Sequence, residues 1–155
     1  LITEQQLSVA SAKAIFLRIK KLIPVFSPKQ FLKISDSNLK KTGLSRPKIK
    51  YCNILANEIL SGELSFRSLH KLDDDELKKR LCEIKGIGEW TAECYMLASL
   101  RRKDIWPVKD LGLQAAIKEI KNLDSRPGEE EMLALAISWM PYRSIAANVL
   151  WASHD

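Results

Sequence analysis

One stretch decides the fold of this chain: Leu81-Cys82-Glu83-Ile84-Lys85-Gly86-Ile87-Gly88-Glu89-Trp90-Thr91-Ala92. In it, two apolar, helix-forming segments flank the turn Lys85-Gly86-Ile87-Gly88. Glycine at alternate positions lets the backbone turn tightly and come close to another surface. The second segment begins at about Gly88 and points its first free N–H groups out of the turn, where an anion such as a DNA phosphate binds favourably. The stretch predicts a helix-hairpin-helix at about residues 74–100.

Composition limits the class of protein. The chain has 155 residues, of which 46% are apolar, and it carries 25 Lys and Arg against 19 Asp and Glu, a net charge of +6. This length and apolar content suit one domain, residues 1–155, with a sizeable core. The positive charge favours a polyanionic partner. The sequence shows no membrane-spanning run and no signal peptide, and it begins abruptly within a helical pattern, as a fragment of a longer protein would.

The fold class follows from the spacing of turn residues. No segment alternates in polarity as a half-buried strand does, so we expect an all-α fold, a compact bundle of about eight to ten short helices. Thr3 and Gln6 have the form of a capping box, which predicts a first helix from Thr3 to about Lys21. Its apolar face is predicted at Leu7, Ala10, Ala14, Leu17 and Leu22. Further helix starts are predicted at Ser27, Ser35, Ser45, Asp73-Asp74-Asp75 and Asp110.

Cysteine and histidine give no sign of a metal site. Cys52, Cys82 and Cys94 are an odd set without close spacing, so neither a disulfide framework nor a zinc site is expected. We expect three buried free thiols. His70 and His154 have no partner at ligand spacing, and we expect no metal bound by side chains.

Two motifs together resemble one known family. Ile-Lys-Gly-Ile-Gly-Glu-Trp-Thr-Ala, residues 84–92, resembles the helix-hairpin-helix of DNA glycosylases. Trp106-Pro107-Val108-Lys109-Asp110-Leu111-Gly112 resembles the loop that carries the catalytic aspartate of that superfamily. The Gly-x-Trp-Thr-Ala form resembles the alkylated-base branch, the 3-methyladenine DNA glycosylase II type. The likeness runs from residues 5–8 to Trp151.

The resemblance implies a monofunctional enzyme of base excision repair. Such an enzyme flips an alkylated purine of the 3-methyladenine type out of duplex DNA and hydrolyses its N-glycosidic bond, leaving an abasic site. Asp110 is then the catalytic carboxylate, which stabilises the oxocarbenium-like sugar and orients or deprotonates the attacking water. Asp110 is equally placed to be a helix N-cap, and the two roles are compatible.

Tryptophans are the candidates for the base pocket. The resemblance assigns Trp90 and Trp151 to its walls, where electron-rich faces attract a cationic base, and Cys94 lies one helical turn after Trp90. Core packing is the competing explanation for each tryptophan, and it is favoured for Trp106 and Trp139. In glycosylases that also cut the DNA backbone, a lysine occupies the place of Trp90, so its absence implies simple hydrolysis.

The resemblance also implies DNA contacts. Gln6 is a candidate for the wedge that fills the hole left by a flipped base, in competition with its capping role. Lys48 is expected to have a structural or phosphate-binding role. Hairpin carbonyls of relatives bind a monovalent cation, which is the one cofactor that the resemblance implies here, and none is required. The remaining candidates for binding DNA are Lys85, Gly86, Gly88, Thr91 and Lys109.

Two other functions stay open. A non-catalytic helix-hairpin-helix module would explain the glycines and the charge, and a bifunctional glycosylase/lyase for oxidised bases would share the fold. We expect a monomer that binds damaged duplex DNA and no membrane. Its place would be intracellular: the cytoplasm and nucleoid of a prokaryote, or the nucleus of a eukaryote. The residues do not specify the preferred lesion.

Overall fold

The computed structural model describes residues 1–154, and its regular elements in that range are ten α-helices and one 3₁₀ helix. The prediction of an all-α fold with eight to ten helices is confirmed. Within the described part of the chain, no helix is long and apolar enough to cross a membrane. The helices are α1 (Val9–Leu22), α2 (Pro28–Phe31), α3 (Asp36–Lys41), α4 (Arg46–Ser61), α5 (Phe66–Leu69), α6 (Asp74–Cys82), α7 (Glu89–Ala98), α8 (Leu111–Lys121), α9 (Glu129–Ala136) and α10 (Arg143–His154), with the 3₁₀ helix Ile137–Trp139 between α9 and α10.

The chain divides into two compact units. The first covers residues 1–88 and the second begins at Glu89. The boundary falls at the end of the predicted hairpin, so α6 and the turn belong to the first unit and α7 to the second. The assignment of residues 1–155 to one domain therefore stays a prediction.

Serine and aspartate caps begin the helices of the first unit. The side chains of Ser27 and Ser35 accept hydrogen bonds from backbone N–H groups at the starts of α2 and α3. Asp73 forms a capping box with Glu76 at the start of α6, and Ser45 occupies the N-cap position of α4. The starts of α2, α3 and α6 were predictable because their cap side chains supply acceptors that the first helical turn lacks, whereas the side chain of Ser45 makes no capping hydrogen bond. The core between them consists of Ile15, Ile19, Ile23, Phe31, Leu39, Leu44, Ile49 and Ala56.

The predicted start of α1 is wrong. Its N-cap is Ser8, which accepts a hydrogen bond from the backbone N–H of Ser11, and Gln6 lies in the preceding turn with φ of +56°. A residue in the left-handed region cannot occupy the third position of a right-handed helix, so Thr3 and Gln6 form no capping box.

The predicted apolar face of α1 is wrong as well. Its buried residues are Ala12, Ile15 and Ile19, whereas Leu7, Leu17 and Leu22 are 42 to 49% exposed. The buried set recurs every three or four residues and the predicted set every three to five, so periodicity alone does not say which face meets the core.

In the second unit, Trp106 anchors the packing. Its side chain is 5% exposed, its indole N–H donates to the carbonyl of Met132 at 3.0 Å, and its ring meets that of Trp139 edge to face. The core role predicted for Trp106 is confirmed. It lies in the α7–α8 connection, four residues before Asp110, and so fixes that loop from within.

Hydrogen bonds to residues at the start of α10 also fix this loop. The Arg143 guanidinium donates from Nε and Nη2 to the two carboxylate oxygens of Asp104, both at 2.8 Å. Ser144 Oγ accepts from the backbone N–H of Ile105 at 2.9 Å. Hydrogen bonds from Arg143 hold the pKa of Asp104 below its ordinary value. Arg143 and Ser144 therefore hold the chain that leads to Asp110.

The first hairpin glycine is required by its surroundings. Gly86 has φ of +93°, and a Cβ there would lie 2.2 Å from Cγ of Tyr51. Gly88 differs, because its φ is not positive and no described atom lies within 4 Å of the position that its Cβ would take. The fold of the described residues therefore explains Gly86 and leaves Gly88 unexplained.

Three alanine substitutions separate backbone strain from crowding. We expect Gly86→Ala to lower the free energy of unfolding by about 2 to 5 kcal/mol, because strain and overpacking add. Gly62→Ala, at φ of +83° with open space around it, should cost only the strain, about 1 to 2 kcal/mol. Gly88→Ala should stay within about 0.5 kcal/mol. Urea unfolding of the three variants checks the order, and equal losses for Gly86 and Gly62 would contradict the crowding by Tyr51.

The Asp104–Arg143 pair should make stability depend on pH. A carboxyl whose pKa is lowered by folding stabilises the fold above its unfolded pKa, and that contribution is lost as the pH falls through the folded pKa. We expect Asp104→Asn to be less stable than the wild type by about 1 to 3 kcal/mol at pH 7, with the gap closing from about pH 4 downward. Asp124→Asn, at an exposed position, is the control. A gap that stays constant as the pH falls below about 4 would contradict this account.

Candidate active site

Asp110 begins α8 as predicted. Its backbone is extended, and its Oδ1 accepts a hydrogen bond from the N–H of Leu113 at 2.8 Å. The side chain is only 8% exposed. A buried carboxylate needs partners, and the helix start supplies the first of them together with a favourable dipole.

Two tryptophans supply the other partners. The indole N–H of Trp90, on α7, donates to Oδ2 of Asp110 at 2.7 Å. The indole N–H of Trp151, on α10, donates to Oδ1 at 3.0 Å. Three N–H groups therefore meet one carboxylate, and none of them can accept a proton or a hydrogen bond in return. Among the described residues, the partners of this carboxylate are therefore all donors.

Gly112 makes room for this arrangement. A Cβ at this position would lie 3.1 Å from Oδ1 of Asp110 and 3.7 Å from both Cδ1 and Nε1 of Trp151. The closer distance is shorter than ordinary van der Waals contact, so a side chain would press on the carboxylate. Sequence reasoning placed Gly112 in the motif without giving it a role.

The structure brings together Trp90, Asp110 and Trp151, three of the residues predicted from sequence. Cys94 follows Trp90 by one turn of α7 and is 5% exposed. Its assignment to a base pocket stays a prediction. The thiols of Cys52 and Cys82 are half-buried rather than buried, which corrects the expectation for those two. Among residues 1–154, no group of three or more His, Cys, Asp or Glu side chains is placed to hold a metal ion.

Lys109 is exposed and paired. Its Nζ lies 2.6 Å from Oε2 of Glu89, the first residue of α7. The hydrogen bond and the charge of Glu89 raise the pKa of Lys109, with a smaller contribution from Glu129. The ammonium form is therefore favoured, and the side chain remains open to solvent on the side away from Glu89.

The predicted DNA contacts of the hairpin differ in exposure. Lys85 and Gly88 are exposed, Gly86 is half-buried, and Thr91, on α7, is buried at 4%. Gln6 is exposed in the turn before α1. These assignments to DNA binding stay predictions.

Sequence reasoning missed Gln5. Its side-chain N–H donates to the backbone carbonyl of Gly86 at 2.8 Å, while its backbone carbonyl accepts from Nζ of Lys48 at 2.6 Å. Lys48 also donates to the carbonyl of Thr3, and burial lowers the pKa of its ammonium. The structural role proposed for Lys48 is confirmed. Nothing in the pair Gln5-Gln6 says which glutamine turns toward the hairpin.

Residues 1–141 match the family described as HhH-GPD superfamily base excision DNA repair protein. This chain belongs to that superfamily. It is 35% identical over 158 residues to the alkylbase DNA glycosidase-like protein mag2 of Schizosaccharomyces pombe, a match over 97% of this chain and 73% of that protein. It is 31% identical over 128 residues to a DNA-3-methyladenine glycosylase of Bacillus subtilis, a match over 82% of this chain and 42% of that protein.

A solved structure has the same fold. The Schizosaccharomyces pombe 3-methyladenine DNA glycosylase (Mag1), in complex with abasic DNA, superimposes on this HhH-GPD chain with a TM-score of 0.92 at 30% identity. The match covers 97% of this chain and 75% of that one. This chain therefore spans less than half of the Bacillus subtilis relative, at 42%, and about three quarters of the two yeast proteins.

NMR spectra can test the hydrogen bonds of Asp110 in solution. In Asp110→Asn the N-cap still needs an acceptor facing Leu113, so the amide oxygen should take the place of Oδ1. The amide NH₂ then faces the indole N–H of Trp90, donor against donor. We expect the indole resonance of Trp90 to shift far more than that of Trp151 in ¹H–¹⁵N spectra.

The same spectra contain their own controls. The chain has four tryptophans, and the indoles of Trp106 and Trp139 do not contact Asp110. Their resonances should stay in place. Equal shifts of Trp90 and Trp151, or none, would contradict the assignment of Trp90 to Oδ2.

Proposed function

We propose that this chain is a monofunctional DNA glycosylase that hydrolyses the N-glycosidic bond of an alkylated purine, of the 3-methyladenine type, in duplex DNA. The observation that carries the proposal is the buried carboxylate of Asp110, held by a helix start and two indoles. Membership of a base excision repair superfamily supports it. So do the names of relatives that are 31 to 35% identical, and the abasic DNA held by the yeast neighbour.

Asp110 supplies the charge that the reaction needs. Breaking an N-glycosidic bond builds positive charge on the deoxyribose, and a fixed carboxylate facing that carbon stabilises it. The same carboxylate orients the attacking water or takes its proton. A 3-methyladenine base is already cationic, so it leaves as a neutral molecule without a second acid, and a single carboxylate suffices.

Trp90 and Trp151 also suit a cationic base. Both are half-buried, so part of each side chain remains accessible. Attraction between a cation and an aromatic face is worth about 0.5 to 2 kcal/mol. A flipped-out alkylated purine would gain this attraction, whereas an undamaged neutral base would gain only stacking.

Charge and the hairpin support a DNA partner. Residues 1–88 carry 17 Lys and Arg against 9 Asp and Glu, whereas residues 89–155 carry 8 against 10. The excess that neutralises phosphates therefore lies in the first unit, and binding should weaken steeply with salt. Gly88 leaves open space beside an exposed turn, which would let a phosphate approach the backbone, with Lys85 beside it.

Two further features of the first unit suit the same role. Gln6 is exposed at the end of a turn that Lys48 holds, as a wedge needs to be. A monovalent cation at the hairpin remains part of the proposal. The carbonyl of Gly86 already accepts the amide N–H of Gln5, so a cation there would use its second lone pair.

A lyase step is disfavoured. Trp90 stands where lyases carry their lysine, and indole cannot form a Schiff base. Lys109, which directly precedes Asp110, has a raised pKa because of Glu89, and an ammonium is not a nucleophile. A non-catalytic module would not require the carboxylate, the two indoles and Gly112 to meet. A DNA substrate implies an intracellular place of action, in the nucleoid or the nucleus.

The test is release of bases from methylated duplex DNA. We expect the wild type to release 3-methyladenine and Asp110→Asn to bind the same DNA while its rate falls by about 100-fold or more. Asp124→Asn, which removes the same charge at an exposed position, should match the wild type. Borohydride should trap no covalent adduct, and the product strand should stay intact until alkali cleaves it.

Three outcomes would overturn the proposal. Binding without base release by the wild type would favour a non-catalytic module. A borohydride adduct would favour a lyase. Full activity of Asp110→Asn would remove Asp110 from the chemistry.

A further inference from the structure

We propose, on the basis of that function, that Trp90 and Trp151 position Asp110 for the reaction through their indole N–H groups, and that Oδ2 is the oxygen that faces the sugar. This role is separate from stacking against the base. It rests on the two indole hydrogen bonds, at 2.7 and 3.0 Å, and on the number of acceptor positions that a carboxylate has.

Counting acceptor positions identifies the reacting oxygen. A carboxylate offers about four lone-pair positions, two on each oxygen. Oδ1 of Asp110 accepts from Leu113 and Trp151, which fills both of its positions. Oδ2 accepts from Trp90 alone, so among the described residues one position stays open, and it lies on Oδ2. A water molecule, or the developing charge on the sugar carbon, meets that oxygen.

The two indoles are unequal in this arrangement. Loss of the Trp151 N–H leaves Oδ1 bonded to the backbone N–H of Leu113, which the helix start holds in place. Loss of the Trp90 N–H leaves Oδ2 with no donor among the described residues. The carboxylate then turns more freely about its Cβ–Cγ bond, and the reacting oxygen loses its orientation. Trp90 therefore has the larger effect on the rate.

Gly112 belongs, with Trp90 and Trp151, to the set of residues that position Asp110. A methyl group there would press on Oδ1 at 3.1 Å and on the indole edge of Trp151 at 3.7 Å. Alanine is otherwise a better helix former than glycine, so α8 gains stability from the exchange. Gly112→Ala should therefore slow base release while the chain stays folded at the assay temperature, which a general loss of structure would not do.

A stacking role alone predicts different results. A pocket wall needs an aromatic face of the right size and does not need an N–H group. Replacing tryptophan by β-(3-benzothienyl)alanine keeps the two fused rings and exchanges N–H for sulfur. Stacking survives this exchange, whereas the hydrogen bond to Asp110 does not.

The experiment places this analogue at position 90, 151 or 139 of the full chain. The measurements are the single-turnover rate of 3-methyladenine release from methylated duplex DNA and the Kd for the same DNA. We expect the rate to fall by about 30- to 100-fold for Trp90→β-(3-benzothienyl)alanine and by about 3- to 10-fold for the Trp151 variant, with Kd changed less than about threefold. The Trp139 variant, whose ring contacts Trp106 and not Asp110, should match the wild type.

The outcomes separate the positioning role from the function it serves. If the wild type releases no base, the proposed function fails and the positioning role fails with it. If the wild type is active and both variants match its rate, only the positioning role is overturned. A larger loss at Trp151 than at Trp90 would overturn the assignment of Oδ2. Gly112→Ala with wild-type activity would remove Gly112 from the set.

Discussion

The second unit depends on one constraint, a buried carboxylate that its surroundings must supply with hydrogen-bond donors. Asp110 meets it with the first turn of α8, the indole of Trp90 on α7 and the indole of Trp151 on α10. Leaving any of these partners unpaired at a site only 8% exposed costs about 1 to 3 kcal/mol. Three helices are thereby fixed on one side chain, and under the proposed function the same contacts orient it for chemistry.

Much of the second unit serves to hold the loop before that carboxylate. Arg143 and Ser144 bind it at Asp104 and Ile105, and Trp106 is buried against the carbonyl of Met132. Rigid support of this kind matters because a shift of about 1 Å in a reacting group can slow catalysis about 100-fold. The first unit, in contrast, carries most of the positive charge. Charge for binding and geometry for reaction are thus concentrated in different halves of the chain.

Sequence reasoning succeeded where one residue type has one local use. Asp73 and Asp110 were predictable caps, because a helix start lacks acceptors and these side chains provide them. It failed where two arrangements satisfy the same pattern, as on α1, where Ile15 rather than Leu17 faces the core. The direction of an indole edge has no sequence signal at all. Trp90 and Trp151 could be placed near Asp110 by resemblance, but only coordinates reveal that they donate to it.

The amide of Gln5 closes the hairpin at Gly86, although 81 residues separate the two along the chain. A turn that reads as local in sequence therefore relies on a long-range contact, whose loop-closure entropy is paid late in folding. During synthesis, Gln5 cannot form this hydrogen bond until the chain has been made as far as Gly86, which follows α1 to α6. The final shape of the turn thus depends on a residue near the start of the chain.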